Sequence, residues 1–177
     1  MIPGASSRQA AAIAELLRER GETLAVAESS AGGLINAALV AVPGASAYYL
    51  GGAIIYTPKG RQALLALEVP KGVRSATEAF AAILARSVRE KLGATWGLAE
   101  TGASGPTGNR YGDAPGHACI AVAGPLEAAI TIETGSAERE ANMWTFAARA
   151  LELLEETIRG QTPNSRSTAP GPAGRSS

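Results

Sequence analysis

Apolar residues along this chain alternate between two rhythms, steps of three and four that mark helices and short unbroken runs that mark buried strands. Ala10, Ile13, Leu16 and Leu17 follow the first, behind capping Ser6 and Ser7 and ahead of Gly21, and predict an amphipathic helix. Thr23-Leu-Ala-Val-Ala27 follows the second and reads as a buried strand leading into the small-residue turn Glu28-Ser-Ser-Ala-Gly-Gly33. A short helix spans Leu34 to Val40 and closes at the turn Val42-Pro-Gly-Ala-Ser46. Aromatic and β-branched residues make Tyr48 to Tyr56 a second strand, in which Gly51 and Gly52 signal a bulge or a close backbone approach. Thr57 and Pro58 start a helix running to Ala66.

Ser75 or Thr77 caps the next helix, whose stripe of Phe80, Ile83, Leu84, Val88 and Leu92 ends at Gly93. Strand-like runs at 95–101 and 117–123 then flank a long glycine-rich loop. A further strand, 126–133, pairs with 117–123 across Gly124 and Pro125. The last helix, about Ala137 to Arg159, sets Trp144, Ala147, Leu151, Leu154 and Ile158 on one side. Strands interleaved with helices predict a single three-layer α/β/α domain over 1–160, around a mixed sheet that includes one antiparallel hairpin. Residues 161–177 are Pro, Gly, Ser, Thr and Arg without a large apolar side chain, and read as a disordered tail.

Composition narrows the function. Lys+Arg and Asp+Glu are 16 each, so the formal charge is zero and neither nucleic acid nor a membrane surface is indicated as a partner. The one cysteine, Cys119, excludes an internal disulfide framework and reads as a small buried hydrophobe. No apolar run reaches 18 residues and no signal-like segment opens the chain, which leaves a soluble cytoplasmic protein as the expectation. With His117 the only histidine and Asp113 the only aspartate, a dedicated metal site is not expected, and no Walker or dinucleotide fingerprint occurs. No cofactor is called for.

The chemistry concentrates in loops. The segment from Gly102 to Gly116 holds five glycines and two prolines between strands, so its main asset is backbone N–H groups suited to a phosphate, carboxylate or oxyanion. Two other loops, Glu28 to Gly33 and Pro43 to Ser46, share its small, hydroxyl-bearing character, and in open α/β sheets ligands collect where such loops converge beyond strand ends. A serine there serves either as a turn residue or as a nucleophile supplied with a base and oxyanion donors. Tyr56, Lys59 and Arg61 are the polar groups near the next strand end.

Ala27-Glu-Ser-Ser-Ala-Gly-Gly33 resembles the Ala-Glu-Ser-Cys-Thr-Gly-Gly signature of the CinA C-terminal domain family. The likeness continues through Val42-Pro-Gly-Ala-Ser46, Gly51-Gly-Ala-Ile-Ile-Tyr56, Lys91-Leu-Gly93, Thr101-Gly-Ala-Ser-Gly-Pro106 and Arg139-Glu140. It implies a metal-independent amidase that hydrolyses nicotinamide mononucleotide to nicotinate mononucleotide and ammonia. By position, the resemblance implies Ser46 as nucleophile with Tyr56 beside it, and puts Arg61 where the family carries Lys, with Lys59 a nearby substitute. It implies Glu28, Ser29, Ser30, Gly32, Gly33, Thr101, Gly102, Ser104, Gly105 and Arg139 as substrate-binding, with Arg110 a further charged contact, and a homo-oligomer as the assembly. Ser30 and Ala31 in the signature, the added Asn109-Arg-Tyr-Gly112 and Met143 in place of a second Arg mark a divergent branch. Arginine keeps its proton at any relevant pH, so Arg61 cannot serve as a base. Three readings follow: a nicotinamide-nucleotide amidase, a non-catalytic nucleotide-binding or protein-interaction module, and an amidase for a different amide.

Overall fold

A computed structural model describes residues 4–160. The predicted tail, 161–177, lies outside the described residues. In chain order the elements are α1 (Gly4–Arg20), β1 (Leu24–Glu28), α2 (Leu34–Val40), β2 (Tyr49–Ile54), α3 (Pro58–Leu65), α4 (Glu78–Leu92), β3 (Trp96–Ala103), β4 (His117–Ala123), β5 (Ala128–Glu133) and α5 (Arg139–Ile158), with a 3₁₀ turn at Ala45–Ala47 before β2. The strands form one sheet in the order β2-β1-β3-β4-β5. β2, β1 and β3 are parallel, whereas both β3–β4 and β4–β5 are antiparallel. The sheet therefore has two antiparallel pairs where the sequence predicts one hairpin, because the long loop after β3 returns the chain directly alongside it.

Strand alternation divides the core by size. Leu24, Val26, Leu98, Ile120 and Val122 face α1, α2 and α5, whose Ile13, Leu17, Leu39, Phe146, Leu151 and Leu154 complete the larger half of the core. The opposite face of the same strands carries Ala25, Ala27, Ala99, Ala121 and Cys119. With so little side chain in the way, α4 lies close against the sheet through Phe80, Leu84 and Val88, and a Cβ on Gly97 would overlap the Ala85 carbonyl oxygen. Thr77 caps α4, accepting from the Phe80 N–H at 3.2 Å.

β2 is shorter than its apolar run. Tyr48 is buried ahead of the strand, its hydroxyl donating to the Leu39 carbonyl at 2.6 Å and its own carbonyl accepting from the Leu24 N–H at 2.8 Å. Both roles proposed for the glycine pair are present. The β1–β2 register shifts beside Tyr49 and Gly51, and a Cβ on Gly52 would lie 2.6 Å from the Val26 carbonyl oxygen.

Candidate functional site

Because β2, β1 and β3 run parallel, their carboxyl ends share one edge of the sheet, and the segments leaving them enclose a cleft of about 260 Å³. Ser29 comes from the end of β1, Tyr56 and Thr57 follow β2, Thr101 and Gly102 close β3, and Arg61 reaches in from α3. Asn109, Arg110 and Tyr111 of the long loop form the opposing wall. This is the arrangement that places ligands outside strand ends in open α/β sheets.

Ser29, Ser30 and Ala31 are anchored by a carboxylate that the sequence reading overlooked. Glu100 is wholly buried on β3, where it accepts the Ser29 N–H at 3.0 Å, the Ala31 N–H at 2.8 Å and the Ser30 hydroxyl. Burial pushes its pKa up to about 7 against the pull of those three donors, and nearby Glu28 adds to the rise. The signal in the sequence was an acid inside an otherwise unbroken buried run, Trp96 to Ala103. Glu28 is equally buried and holds the amino end of α2, taking the Ile35 N–H at 3.2 Å, the Asn36 N–H at 2.9 Å and the Asn36 side-chain amide. Glu28 does not line the cleft. Gly32 and Gly33 adopt positive φ of 69° and 102° and lie against Met143 and Ile54, so they shape the start of α2.

Arg61 and Arg110 are the cations of the cleft lining, and Arg61 is the more enclosed. Its guanidinium stacks over Phe80 at 5.3 Å, and its buried Nε has no hydrogen-bond partner among the described residues. Lys59, two positions earlier on the same helix, is exposed and does not line the cleft. Arg139 stands at the start of α5 and joins two parts of the site, donating to the Gly105 carbonyl at 2.7 Å and to the Tyr56 hydroxyl at 2.8 Å. Ser104 is buried, and its carbonyl accepts from Asn142 at 2.8 Å; that same amide donates to the Ser136 carbonyl at 2.8 Å. Asn142 thus ties the root of the long loop to α5, a role its position in an apolar helical stripe concealed.

The added residues of the long loop are internally braced. Asn109 accepts the Tyr111 and Asp113 N–H groups at 2.9 and 3.2 Å and donates to the Asp113 carboxylate at 2.8 Å. Arg74 clamps Asp113 with two hydrogen bonds, 2.5 and 3.0 Å, which hold that carboxyl down to about 2. Arg74 and Arg110 both lie over the Tyr111 ring, at 5.6 and 5.0 Å, and hydrogen bonding from Arg110 lowers the phenol pKa. Tyr111, with two guanidinium groups near its ring, therefore forms one wall of the cleft together with Arg110.

Ser46 lies elsewhere. It is exposed on the 3₁₀ turn before β2, whereas Tyr56 follows β2, so the length of a six-residue strand, on the order of 20 Å, separates them. Of the three loops expected to converge, two do. Pro43 to Ser46 instead packs at the far end of the sheet, where Arg18 of α1 donates to the Pro43 carbonyl at 2.5 Å. The strand's length hides which end each residue occupies.

His117 is buried between Glu133, whose carboxylate is 2.5 Å from Nδ1, and the Ala76 carbonyl, 3.0 Å from Nε2. Among the described residues no group of three or more His, Cys, Asp or Glu side chains is placed to hold a metal ion, and no helix is long and apolar enough to cross a membrane.

The architecture matches known proteins over most of the chain. A competence-damaged protein (CinA) superfamily protein from Klebsiella pneumoniae superposes with a TM-score of 0.81 at 24% identity, over 88% of this chain and 98% of that one. A competence/damage inducible protein from Agrobacterium tumefaciens gives 0.82 at 23% identity, over 90% and 98%. Both likenesses show the shared fold. In sequence, a CinA-like protein of Synechocystis sp. is 36% identical over 152 residues, and one of Gloeobacter violaceus is 39% identical over 153. The alignments take in 85% and 84% of this chain but 36% of each relative, so the chain spans about a third of the length of the curated relatives it matches. The family model described as the CinA C-terminal domain matches residues 6–158. The chain belongs to the CinA C-terminal domain family.

Proposed function

We propose that this protein is an amidohydrolase that converts nicotinamide mononucleotide and water to nicotinate mononucleotide and ammonia. The observation that carries the reading is the cleft's pairing of Arg61, whose buried Nε has no hydrogen-bond partner among the described residues, with the exposed Tyr111 ring beside Arg110. A mononucleotide offers what both features suit, a phosphate for a guanidinium and a flat ring for an aromatic face. In this reading Arg61 and Arg110 take the phosphate. Thr101 and Gly102 border the carboxamide, and Tyr56, aligned by Arg139, holds the attacked carbonyl or the departing ammonia. A serine hydroxyl adds to the carboxamide carbon, the C–N bond breaks, ammonia leaves with the hydroxyl proton, and water then cleaves the ester; family position assigns this role to Ser46, which stands a strand's length from the cleft of its own chain.

A second reading has one specific observation in its favour. The side chains lining the cleft of one chain include no Lys, His, Asp or Glu, and hence no ordinary general base. A nucleotide-binding module without catalysis would look the same. Ammonia release from purified protein incubated with nicotinamide mononucleotide separates the two. The amidase reading expects release by the parent and none by Ser46→Ala, with binding by calorimetry preserved in both. Binding without release by the parent selects the module, and release by the variant equal to the parent's removes Ser46 as nucleophile.

A further inference from the structure

We infer that Asp113, gripped by Arg74 and Asn109, is a positioning residue of the cleft: it keeps the tip of the long loop in its ligand-ready place, so that affinity is set in part by a carboxylate and a guanidinium that do not line the cleft. From Pro106 to Pro115 no residue is buried. Apolar packing therefore does not hold this segment, although its Asn109, Arg110 and Tyr111 supply a wall of the cleft. An unburied stretch of this kind is either ordered in advance by hydrogen bonds or loses conformational freedom each time a ligand arrives, which weakens binding.

The hydrogen bonds that order it run without a break from α4 to the aromatic ring. Thr77, which caps α4, donates its hydroxyl to the Arg74 carbonyl at 2.9 Å. Arg74 in turn grips both carboxylate oxygens of Asp113, and a two-pronged pair fixes orientation as well as distance. Asp113 closes the tip onto Asn109, its carbonyl accepting the Asn109 N–H at 3.1 Å and its carboxylate the Asn109 amide at 2.8 Å. Asn109 Oδ1 then takes the Tyr111 N–H at 2.9 Å, and Arg110 donates to the Tyr111 hydroxyl at 2.8 Å. Releasing Asp113 therefore releases the ring and the Arg110 cation together.

The adjoining part of the lining rests on the same anchors. Ser75 and Ala76 follow Arg74 directly and line the cleft. Ala76 has a φ of 56°, a left-handed conformation that an alanine keeps only where its surroundings impose it. Its carbonyl is 3.0 Å from His117 Nε2, and Asp113 Oδ2 lies 4.0 Å from the same nitrogen. Asp113 is thus placed by the segment leading into α4 and by β4, neither of which belongs to the loop it steadies. The clamp stands on these bonds; only its effect on a nucleotide rests on the amidase reading.

Limited digestion and calorimetry of the full chain test this. Trypsin cuts after arginine, so the rate at which the fragment ending at Arg110 appears reports how often the tip opens, with no ligand present. Arg74→Gln and Asp113→Ala should each raise that rate at least about fivefold while the circular dichroism stays that of the parent; an unchanged rate in either variant overturns the clamp. In calorimetry with nicotinamide mononucleotide, Arg74→Gln should bind at least about tenfold more weakly than the parent, the loss of one aromatic and one cationic contact. Arg110→Ala with Tyr111→Ala should bind as weakly, and adding Arg74→Gln to that pair should weaken binding no further, because the clamp acts only through the tip. Unchanged affinity in Arg74→Gln, or a further loss in the triple variant, overturns the positioning role. A parent that binds no mononucleotide, yet whose tip opens faster in both clamp variants, removes the amidase reading and leaves the clamp standing.

Discussion

Arg61 shows how one exchange alters what a site can do while leaving its shape. A lysine at this position can shed its proton when desolvated, whereas a guanidinium stays charged and presents a planar fork of donors. Stacked on Phe80 with its Nε unpartnered, Arg61 is prepared for an anion and useless as a base. Charge-assisted hydrogen bonds of this kind contribute about 1.5–3 kcal/mol. Arg61→Met should therefore weaken nicotinamide mononucleotide binding at least about tenfold by calorimetry while leaving the fold intact; unchanged affinity would remove Arg61 from the ligand. Tyr56, Arg61 and Thr101, each of which follows or closes a recognisable strand, come together in the lining of one cleft. The sequence reading missed Glu100 and Asn142 because both are polar groups within buried stretches, where only their partners, the Ser29 to Ala31 turn and the Ser104 carbonyl, give them meaning. Ser46 shows the converse: the motif is plain in the sequence but its place relative to the cleft is not, since spacing along a strand gives distance and not company.

At the scale of elements, α4 depends on what is absent beneath it. Gly97 on β3 faces Ala85, and an added methyl would overlap backbone rather than a movable side-chain tip. Gly97→Ala should accordingly cost about 1–3 kcal/mol, the range for overpacking a dense core, visible as a lower urea midpoint. An unchanged midpoint would show that α4 can slide. The elements were legible where periodicity was clean: Leu34–Val40 and His117–Ala123 have the bounds the pattern predicts. They were less legible where a buried aromatic imitates a strand residue, as Tyr48 does, and where chain direction matters. The apolar pattern of β3 is the same whether its neighbour runs parallel or antiparallel, so the second antiparallel pair was invisible.

For the whole molecule, three buried or clamped groups set how stability varies with pH. Asp113 is held at about 2 by Arg74 against an ordinary 3.8, so its contribution is present above pH 3.8 and is lost as pH falls through 2. Glu100 is raised from 4.5 to about 7, so its contribution is complete below pH 4.5 and is lost as pH rises through 7. Burial opposes the charged form of His117, but Glu133 and the Ala76 carbonyl outweigh it and raise the pKa, which adds a loss in the same alkaline direction. The melting temperature should thus peak between about pH 4 and 5. Asp113→Asn should flatten the acid limb and Glu100→Gln the neutral one; a parent whose stability climbs steadily from pH 5 to 8 would contradict the Glu100 assignment, and an acid limb unmoved by Asp113→Asn the other. The same interior also contains a clock. Cys119 of β4 faces α4 with its thiol pKa raised by burial and Thr131 beside it, so alkylating reagents reach it only when α4 lifts from the sheet. Its labelling rate in the unaltered protein therefore times the opening of that layer, and occupancy of the cleft can be read as a slowing of that rate without any reporter being added.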